Sequence, residues 1–490
     1  MGPAPPRRPR IPVRLPLFAC VLLAATLASG CGGAVSNTSV EGGSASVTFF
    51  ATSTANDQLS EFNITLNSVT LTGSSGKTVT VFDAPLSAEF IHLNGQLEPL
   101  TTVSIPEDVY TSGAAEAGTA GFECMALDPE GALIIHGFNY GVTPTSAVTL
   151  NLPEPITVGS AAMGISLDLL VSRSASWTTC GPEAPGQDYP YSITPTLNLA
   201  AVTFSSNPTN EENGQAAGLG GLIASVDAAA GSLTVTAPGG GPIWSVLSGS
   251  GTQYQGAAGI SDLAVGMAVD MDLVSQASGS LLATRVAVLD TNATDLSLSS
   301  GPVEVVVAAW PAMFADEVEE QGFLPGVFGY APFSFGGAEF QASGQLTNLQ
   351  ALPFTPSFSA ADIVAGQIVS VTTHAAGLAP APTYEPATTI TLLPQTINGT
   401  VSAIGSEGGF TTYTVTLAPY DLFPALAVQP GQTTLLTSPN TVVVYADSNT
   451  QMLNTSPVAV GGVARFYGLV FNDNGTLRMD CAQINDGVAE

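Results

Sequence analysis

An all-β protein is the fold class predicted for this chain of 490 residues, and three observations predict it. Short Thr- and Val-rich segments alternate apolar with polar side chains, the two-residue period of half-buried strands. Turn residues separate them, drawn from 52 glycines and 35 prolines, and no stretch keeps a helical period between capping residues. In the second half of the chain, one strand–glycine–strand element recurs three times. The expected architecture is an N-terminal β-sandwich followed by two or three small OB-like β-barrel modules.

The first 30 residues have the shape of a secretory signal peptide. Arg7, Arg8, Arg10 and Arg14 form a positive start, Leu15 to Leu27 is a short apolar run, and Ala28-Ser29-Gly30 precedes Cys31. The apolar run is too short for a comfortable transmembrane span. A cysteine placed directly after small residues resembles the bacterial lipoprotein signal, which implies acylation of the Cys31 thiol as the first residue of the mature chain. The other reading is an ordinary cleavage after Gly30 that leaves Cys31 a plain thiol. Ala28 stands where the lipoprotein pattern prefers Leu. Residues 31–44 follow as a Gly/Ser-rich tether, GGAVSNTSVEGGS after the cysteine, spanning roughly 20 Å as a flexible coil. The expected location is therefore the cell envelope, facing periplasm or surface, with the lipid as the contact to the membrane.

Loss of residues 1–30 would leave Lys77, Arg173, Arg285, Arg465 and Arg478 against 39 carboxylates, a formal charge of −34. Such a surface repels nucleic-acid phosphates and anionic headgroups, so no nucleic-acid partner is expected. The chain is 45% apolar and only 10% charged, which supplies packed cores and excludes the disordered kind of acidic protein. Export places Cys124, Cys180 and Cys481 in an oxidising compartment. A disulfide between Cys124 and Cys180 is expected because both fall in one domain; the competing reading is three buried thiols.

Residues 45–206 read as the sandwich. Ser46 to Phe50 opens a strand. Phe62, Ile64 and Leu66 alternate with polar residues, as do Val69 and Leu71, and the switch of parity at Asn67-Ser68 predicts a bulge or bend. The Gly73-Ser74-Ser75-Gly76 turn leads into a hairpin partner, Thr78 to Phe82. Further strands are expected at 131–138, 147–152, 163–171 and 191–204. The segments FNITLNSVTL (62–71), FIHLNGQLEPL (90–100), VSIPEDVY (103–110), ISLDLLVSRSAS (165–176) and YSITPTLNLAAV (191–202) resemble a bacterial exported family, domain of unknown function 4382. Asp108 stands where that family has Gly. The resemblance implies an immunoglobulin-like or prealbumin-like sandwich and brings no catalytic residue.

Residues 207–218 are polar and turn-rich and read as a linker. The modules expected after it are 219–292, 297–395 and 396–490. Gly221 to Val226 resembles Gly399 to Ile404, and each is followed by a second strand, at 232–236 and 412–416. The recurring element is Asp262-Leu-Ala-Val-Gly266-Met-Ala-Val269, Asp362-Ile-Val-Ala-Gly366-Gln-Ile-Val369 and Val458-Ala-Val-Gly461-Gly-Val463. The middle copy shows no clear opening strand. A glycine within a strand marks a sharp bend or a close backbone approach, as small closed barrels need. Gly221, Ile223 and Asp262 to Gly266 also resemble an exported module, domain of unknown function 5666.

Chemistry-bearing residues are scattered. His92, His136 and His374 stand alone, without a second ligand at metal spacing, although Cys124 with His92 and His136 is a conceivable nucleophile constellation. Gly218-Leu-Gly-Gly-Leu-Ile follows a polar segment and lacks the context of a dinucleotide loop, so no cofactor is expected. Asp270 and Asp272 share a strand face, and Asp316, Glu317, Glu319 and Glu320 form a dense run; paired carboxylates of this kind serve glycosidases, but a solvated acidic loop is the simpler reading of the run. Asn472-Asp473-Asn474-Gly475 reads as a hairpin turn rather than a calcium loop. Trp310, Phe314, Phe323, Phe328 and Tyr330, with Phe333, Phe335 and Phe340, make an aromatic-rich stretch. They either offer rings to a glycan or another chain, or fill the core of the middle module, the reading that the alternation around Phe333 and Phe335 favours.

The expectation is an exported, lipid-anchored envelope protein with a binding or structural role, no catalytic constellation, and a glycan or an envelope protein as partner. The alternatives are a polysaccharide-acting enzyme using paired carboxylates and a subunit of an envelope assembly.

Overall fold

The computed structural model describes residues 43–487 apart from 54–58, 83–84, 92, 94–95, 128–132, 141–145, 179, 181–190, 207–213, 238–241, 277, 292–295, 308–311, 317–329, 345–350, 375–384, 419–420 and 427–435. It is all-β. The first module contains β1 (Ser44–Ser53), β2 (Leu59–Gly73), β3 (Thr78–Phe82), β4 (Leu86–Glu89), β5 (Glu98–Pro106), β6 (Asp108–Leu127), β7 (Leu133–Tyr140), β8 (Ser146–Asn151), β9 (Ile156–Val158) and β10 (Met163–Leu169). A single helical turn, α1 (Val171–Ser174), then precedes β11 (Ala175–Trp177), β12 (Tyr191–Ile193) and β13 (Thr196–Val202).

Eleven of these strands form one hydrogen-bonded sheet with main path β3-β2-β6-β8-β13-β10-β1-β5. Its two halves close on a common core: Phe62, Ile64, Leu66, Val69, Leu71 and Phe122 from one, Val47, Phe49, Ile165, Leu167, Leu197 and Leu199 from the other. The predicted parity switch is a bulge, for the β2–β6 register skips from Leu66 to Ser68. That slip keeps Phe62, Ile64 and Leu66 on the same buried side as Val69 and Leu71. The hairpin of β2 with β3 forms as expected. Asp108 straps its turn, accepting hydrogen bonds from the Ser74 and Ser75 hydroxyls at 3.0 and 2.5 Å. The strand expected at 191–204 is two, β12 and β13, broken at Thr194-Pro195, where proline can donate nothing to a ladder. Cys124 and Cys180 form the disulfide, with Cα atoms 5.8 Å apart, and Cys481 is a buried free thiol.

Three barrels follow. The first is β14 (Gln215–Asp227), β15 (Ser232–Thr236), β16 (Ile243–Gln255), β17 (Ala268–Ser275) and β18 (Leu281–Asp290). The second is β19 (Leu296–Val307), β20 (Ala312–Asp316), β21 (Tyr330–Ser334), the short β22 (Glu339–Ala342), β23 (Ile368–His374) and β24 (Glu385–Leu392). The third is β25 (Gln395–Glu407), β26 (Phe410–Thr416), the helical turn α2 (Leu422–Leu426), β27 (Thr441–Ala446), the short β28 (Gln451–Met452), β29 (Val463–Asp473) and β30 (Thr476–Asp486). Each copy has the same ladder. The first three long strands form an antiparallel meander, and the fourth pairs with both the first and the fifth. The third strand closes the circuit by running parallel to the fifth, as β16–β18, β21–β24 and β27–β30. This is the strand order of an OB barrel.

Two expectations change. Residues 215–218 are not linker but the start of β14, paired with β17 through Gln215↔Val274 and Ala216↔Leu273. The recurring glycine does not sit in mid-strand either. Gly266, Gly366 and Gly461 lie in the turn before the fourth strand, with φ of 88°, 97° and 85°, a backbone region that only glycine enters freely. The middle barrel has the opening strand that the sequence hides: Gly301-Pro302-Val303 occupies the place of Gly221-Leu222-Ile223 and Gly399-Thr400-Val401, with the same one-residue register slip just after it in all three.

The modules touch in cyclic order. Trp244 of the first barrel donates its indole N–H to the Pro99 carbonyl of the sandwich at 2.9 Å. Ser343 of the second barrel donates to Asp270 of the first at 3.3 Å, and Gln367 of the second donates to the Val470 carbonyl of the third at 2.9 Å. The third barrel returns to the sandwich, and a cavity lies between those two.

Candidate functional site

The sandwich side of this cavity is built by register. Thr52 on β1 lies opposite Asp168 on β10, and Asp168 opposite Asn198 on β13. Asn198 in turn pairs with Asn151 on β8, which donates its side-chain N–H to the Asn198 amide oxygen at 3.3 Å. Because side chains alternate across a strand, these four polar groups form one row on the face turned away from Phe49, Ile165, Leu167 and Leu199. The outer, polar face of a sandwich sheet is ordinarily wet. Here it is covered. In β1 seven consecutive residues are buried, so both of its faces are occupied.

The third barrel does the covering. On β29, Ala464 and Phe466 point into the barrel core while Arg465 between them points out. Arg465 pairs across the ladder with Asn485, and Gln483 is on the same face of β30. The Arg465 Nε donates to the Asp486 carbonyl at 2.9 Å, which fixes the base of the guanidinium. The cavity of about 500 Å³ between the modules is lined by Thr52, Ser166, Asp168 and Asn198 on one wall and Arg465, Gln483 and Asn485 on the other.

Asp168 and Arg465 thus face one cavity from opposite modules. Among the described residues no ion pair within 4 Å joins them, and the Asp168 carboxylate has no hydrogen-bond partner. Burial pushes the Asp168 carboxyl up to about 6, against the pull of the Arg465 guanidinium. Burial also draws Arg465 below its ordinary value, opposed by Asp168 and Asp486. The Asp168 carboxylate is thus held in a poorly solvated place without a contact that would satisfy it, while Arg465 has the Asp486 carbonyl on its Nε and no carboxylate within 4 Å across the cavity.

The residues singled out from sequence fall elsewhere. Cys31 lies outside the described residues, as do Trp310, Phe323, Phe328 and His92. Phe314 is on β20 and Tyr330 begins β21, in one ladder, but their side chains are outside the description. Phe333 and Phe335 are buried in the core of the second barrel, so this part of the aromatic stretch is packing. Cys124 is tied up in the disulfide and offers no thiolate to a histidine. Asp270 and Asp272 are no carboxylate pair for hydrolysis: Arg285 lies between them, with Nη2 2.7 Å from Asp270 and Nε 2.7 Å from Asp272. Of the acidic run, Asp316 ends β20, and the other members lie outside the described residues. His374 is 3.7 Å from Asp290 at the junction of the first two barrels. Asn474 and Gly475, at φ 53° and 86°, make the two-residue turn between β29 and β30, the Asn-Gly hairpin expected. Asp473 beside it is engaged by Arg478 at 2.8 Å.

Sequence reasoning missed Asp168 and Arg465. The signal is there in outline: a lone carboxylate inside the apolar run Ile165 to Leu170, and one of the few arginines alternating with Ala464 and Phe466. Nothing in either segment points to the other.

The chain matches no family model and no curated protein.

Proposed function

We propose that the protein is an exported, lipid-anchored component of the cell envelope that binds a small polar ligand between its sandwich and its third barrel. The observation that carries this is the polar cavity that Asp168 and Arg465 face from opposite walls, with no ion pair between them among the described residues. Pockets with a few convergent polar groups and displaced titration are the places where proteins hold ligands. They also favour domain interfaces, as here. The signal-like start, Cys31 and the resemblance of the modules to exported bacterial domains support the location. Binding is favoured over hydrolysis because Asp168 is the one carboxylate among the described lining residues, whereas glycoside hydrolysis uses two.

Two measurements test the reading. Fatty-acid labelling of the wild type and of Cys31→Ser in cells is expected to mark only the wild type; an unlabelled wild type removes the anchor. A thermal-shift screen of saccharides, amino acids and short peptides is expected to yield stabilising compounds whose effect fades in Asp168→Asn. A screen in which no compound stabilises the protein counts against a binding role.

A further inference from the structure

The charge layout of the cavity narrows the class of ligand, on the reading that the cavity is a binding site. Asp168 on one wall and Arg465 on the other are of opposite sign, and each is set mostly out of water. Beside Asp168 on its wall are the Thr52 and Ser166 hydroxyls and the Asn198 amide, and beside Arg465 the Gln483 and Asn485 amides, able to donate and accept. A simple anion would satisfy Arg465 but meet the Asp168 carboxylate. A simple cation would satisfy Asp168 but meet the guanidinium. A neutral sugar would leave the Asp168 carboxylate without a cation in contact, and it would find no aromatic ring to stack on among the described lining residues. The ligand that resolves both charges carries an ammonium and a carboxylate a few bonds apart. The guanidinium is suited to the second of these, since its fork matches a carboxylate in two parallel hydrogen bonds.

We infer that the cavity between the sandwich and the third barrel binds a small zwitterion of the α-amino-acid type, its ammonium on Asp168 and its carboxylate toward Arg465. A volume of about 500 Å³ admits a free amino acid or a short peptide. The two walls come from modules far apart in sequence, so such a ligand would also bridge them. Asn198 is already oriented by the Asn151 amide, which prepares that wall for a ligand at small entropic cost.

Isothermal titration of the purified full-length protein in detergent tests this at about pH 7.5, where a free amino acid is a zwitterion. The probes are the common L-amino acids and Ala-Ala, with N-acetyl-L-alanine, L-alaninamide and glucose as comparisons. At least one zwitterion is expected to bind. Its counterpart lacking the free ammonium or the free carboxylate is expected to bind at least about tenfold more weakly, the loss set by one charged hydrogen-bonding group. Asp168→Asn and Arg465→Gln are each expected to weaken binding by a similar factor. The blocked ligands act on the unmutated protein, so the test does not depend on the variants folding. Equal binding of blocked and free forms overturns the inference. Glucose binding that Asp168→Asn abolishes, without any amino acid, also overturns it while leaving the cavity a binding site. Binding of no probe at all, with an empty thermal-shift screen, overturns both readings.

Discussion

Gly366 donates its backbone N–H to the carbonyl of Val303 at 2.8 Å, and Val303 donates in return to the carbonyl of Gln367 at 2.8 Å. The same clasp joins Gly266 and Ile223 in the first barrel, and Gly461 and Val401 in the third. It ties the turn before the fourth strand to the middle of the first strand, just ahead of its bulge, where the first and fourth strands must meet for the barrel to close. The positive φ of the glycine lets the turn present its N–H to that strand. That is the physical content of the threefold repeat.

Replacing this glycine is expected to cost more in the middle barrel than in the third. Any Cβ at such a φ costs about 1–2 kcal/mol. At Gly461 nothing lies within 4 Å of the added atom, whereas at Gly366 it would come 2.6 Å from the Phe423 ring and 3.0 Å from the Phe423 Cα. Overpacking of that kind adds about 1–3 kcal/mol. Urea denaturation of Gly366→Ala and Gly461→Ala should therefore separate the two by at least about 1 kcal/mol. Equal losses would show that the α2 contact carries no strain.

The repeat shows what local pattern can reveal. Alternation locates most of the strands, and the parity switch at Asn67 locates a bulge, because both follow from which side chains must be buried next to which in the same few residues. The opening of the middle barrel is hidden by Pro302 and Glu304, which break the resemblance to Leu222 and Ala224 without breaking the ladder. The candidate site is not legible for a different reason. Asp168 has the parity of a solvent-facing residue on β10, and what covers it is Arg465 and Gln483, nearly three hundred residues later. No period in one strand records which module packs on its outer face. The same holds for Arg285: Asp270 and Asp272 are visible as a same-face pair, but the arginine between them is not until β17 and β18 are known to be neighbours.

Arg285 gives a second prediction. Its guanidinium joins Asp270 and Asp272, and Ser343 of the next barrel also donates to Asp270. Asp270 is 2% exposed. Arg285→Met strands a buried carboxylate, at a cost of about 3–5 kcal/mol. Asp270→Asn with Arg285→Met, which removes both charges of the more deeply buried pair, should recover a good part of that loss. Chemical denaturation of the two variants distinguishes them; no recovery would mean that the arginine acts through its packing instead.

The Cys124–Cys180 bond gives a third, because the two cysteines are 56 residues apart in the chain. Closing a loop of this length lowers the entropy of the unfolded chain by about 4 kcal/mol at 25 °C in the chain-entropy model. Cys124→Ala with Cys180→Ala is expected to lower stability by about that amount, and Cys481→Ala by less, since Cys481 forms no such link. Reduction of the wild type should reproduce the double variant. A wild type whose midpoint is unchanged by reductant would contradict the link.

The last prediction concerns pH. Asp480 on β30 is 4% exposed, and its Oδ2 has no hydrogen-bond partner among the described residues. Burial, then the neighbouring Asp447 carboxylate, pushes its carboxyl up to about 6 from an ordinary value of 3.8. Between those two values the folded protein holds a proton that the unfolded chain has released. Stability from this group is therefore full below about pH 4 and is lost as pH rises through about 6. Asparagine imitates the protonated acid at every pH, so Asp480→Asn removes this titration and keeps the shape of the side chain. Urea titrations should find the variant and the wild type close at about pH 4, and the variant more stable by on the order of 2 kcal/mol at about pH 7. Other groups titrate alike in both proteins and cancel in the difference. A difference that is the same at both pH values would place Asp480 in contact with water, contrary to its burial.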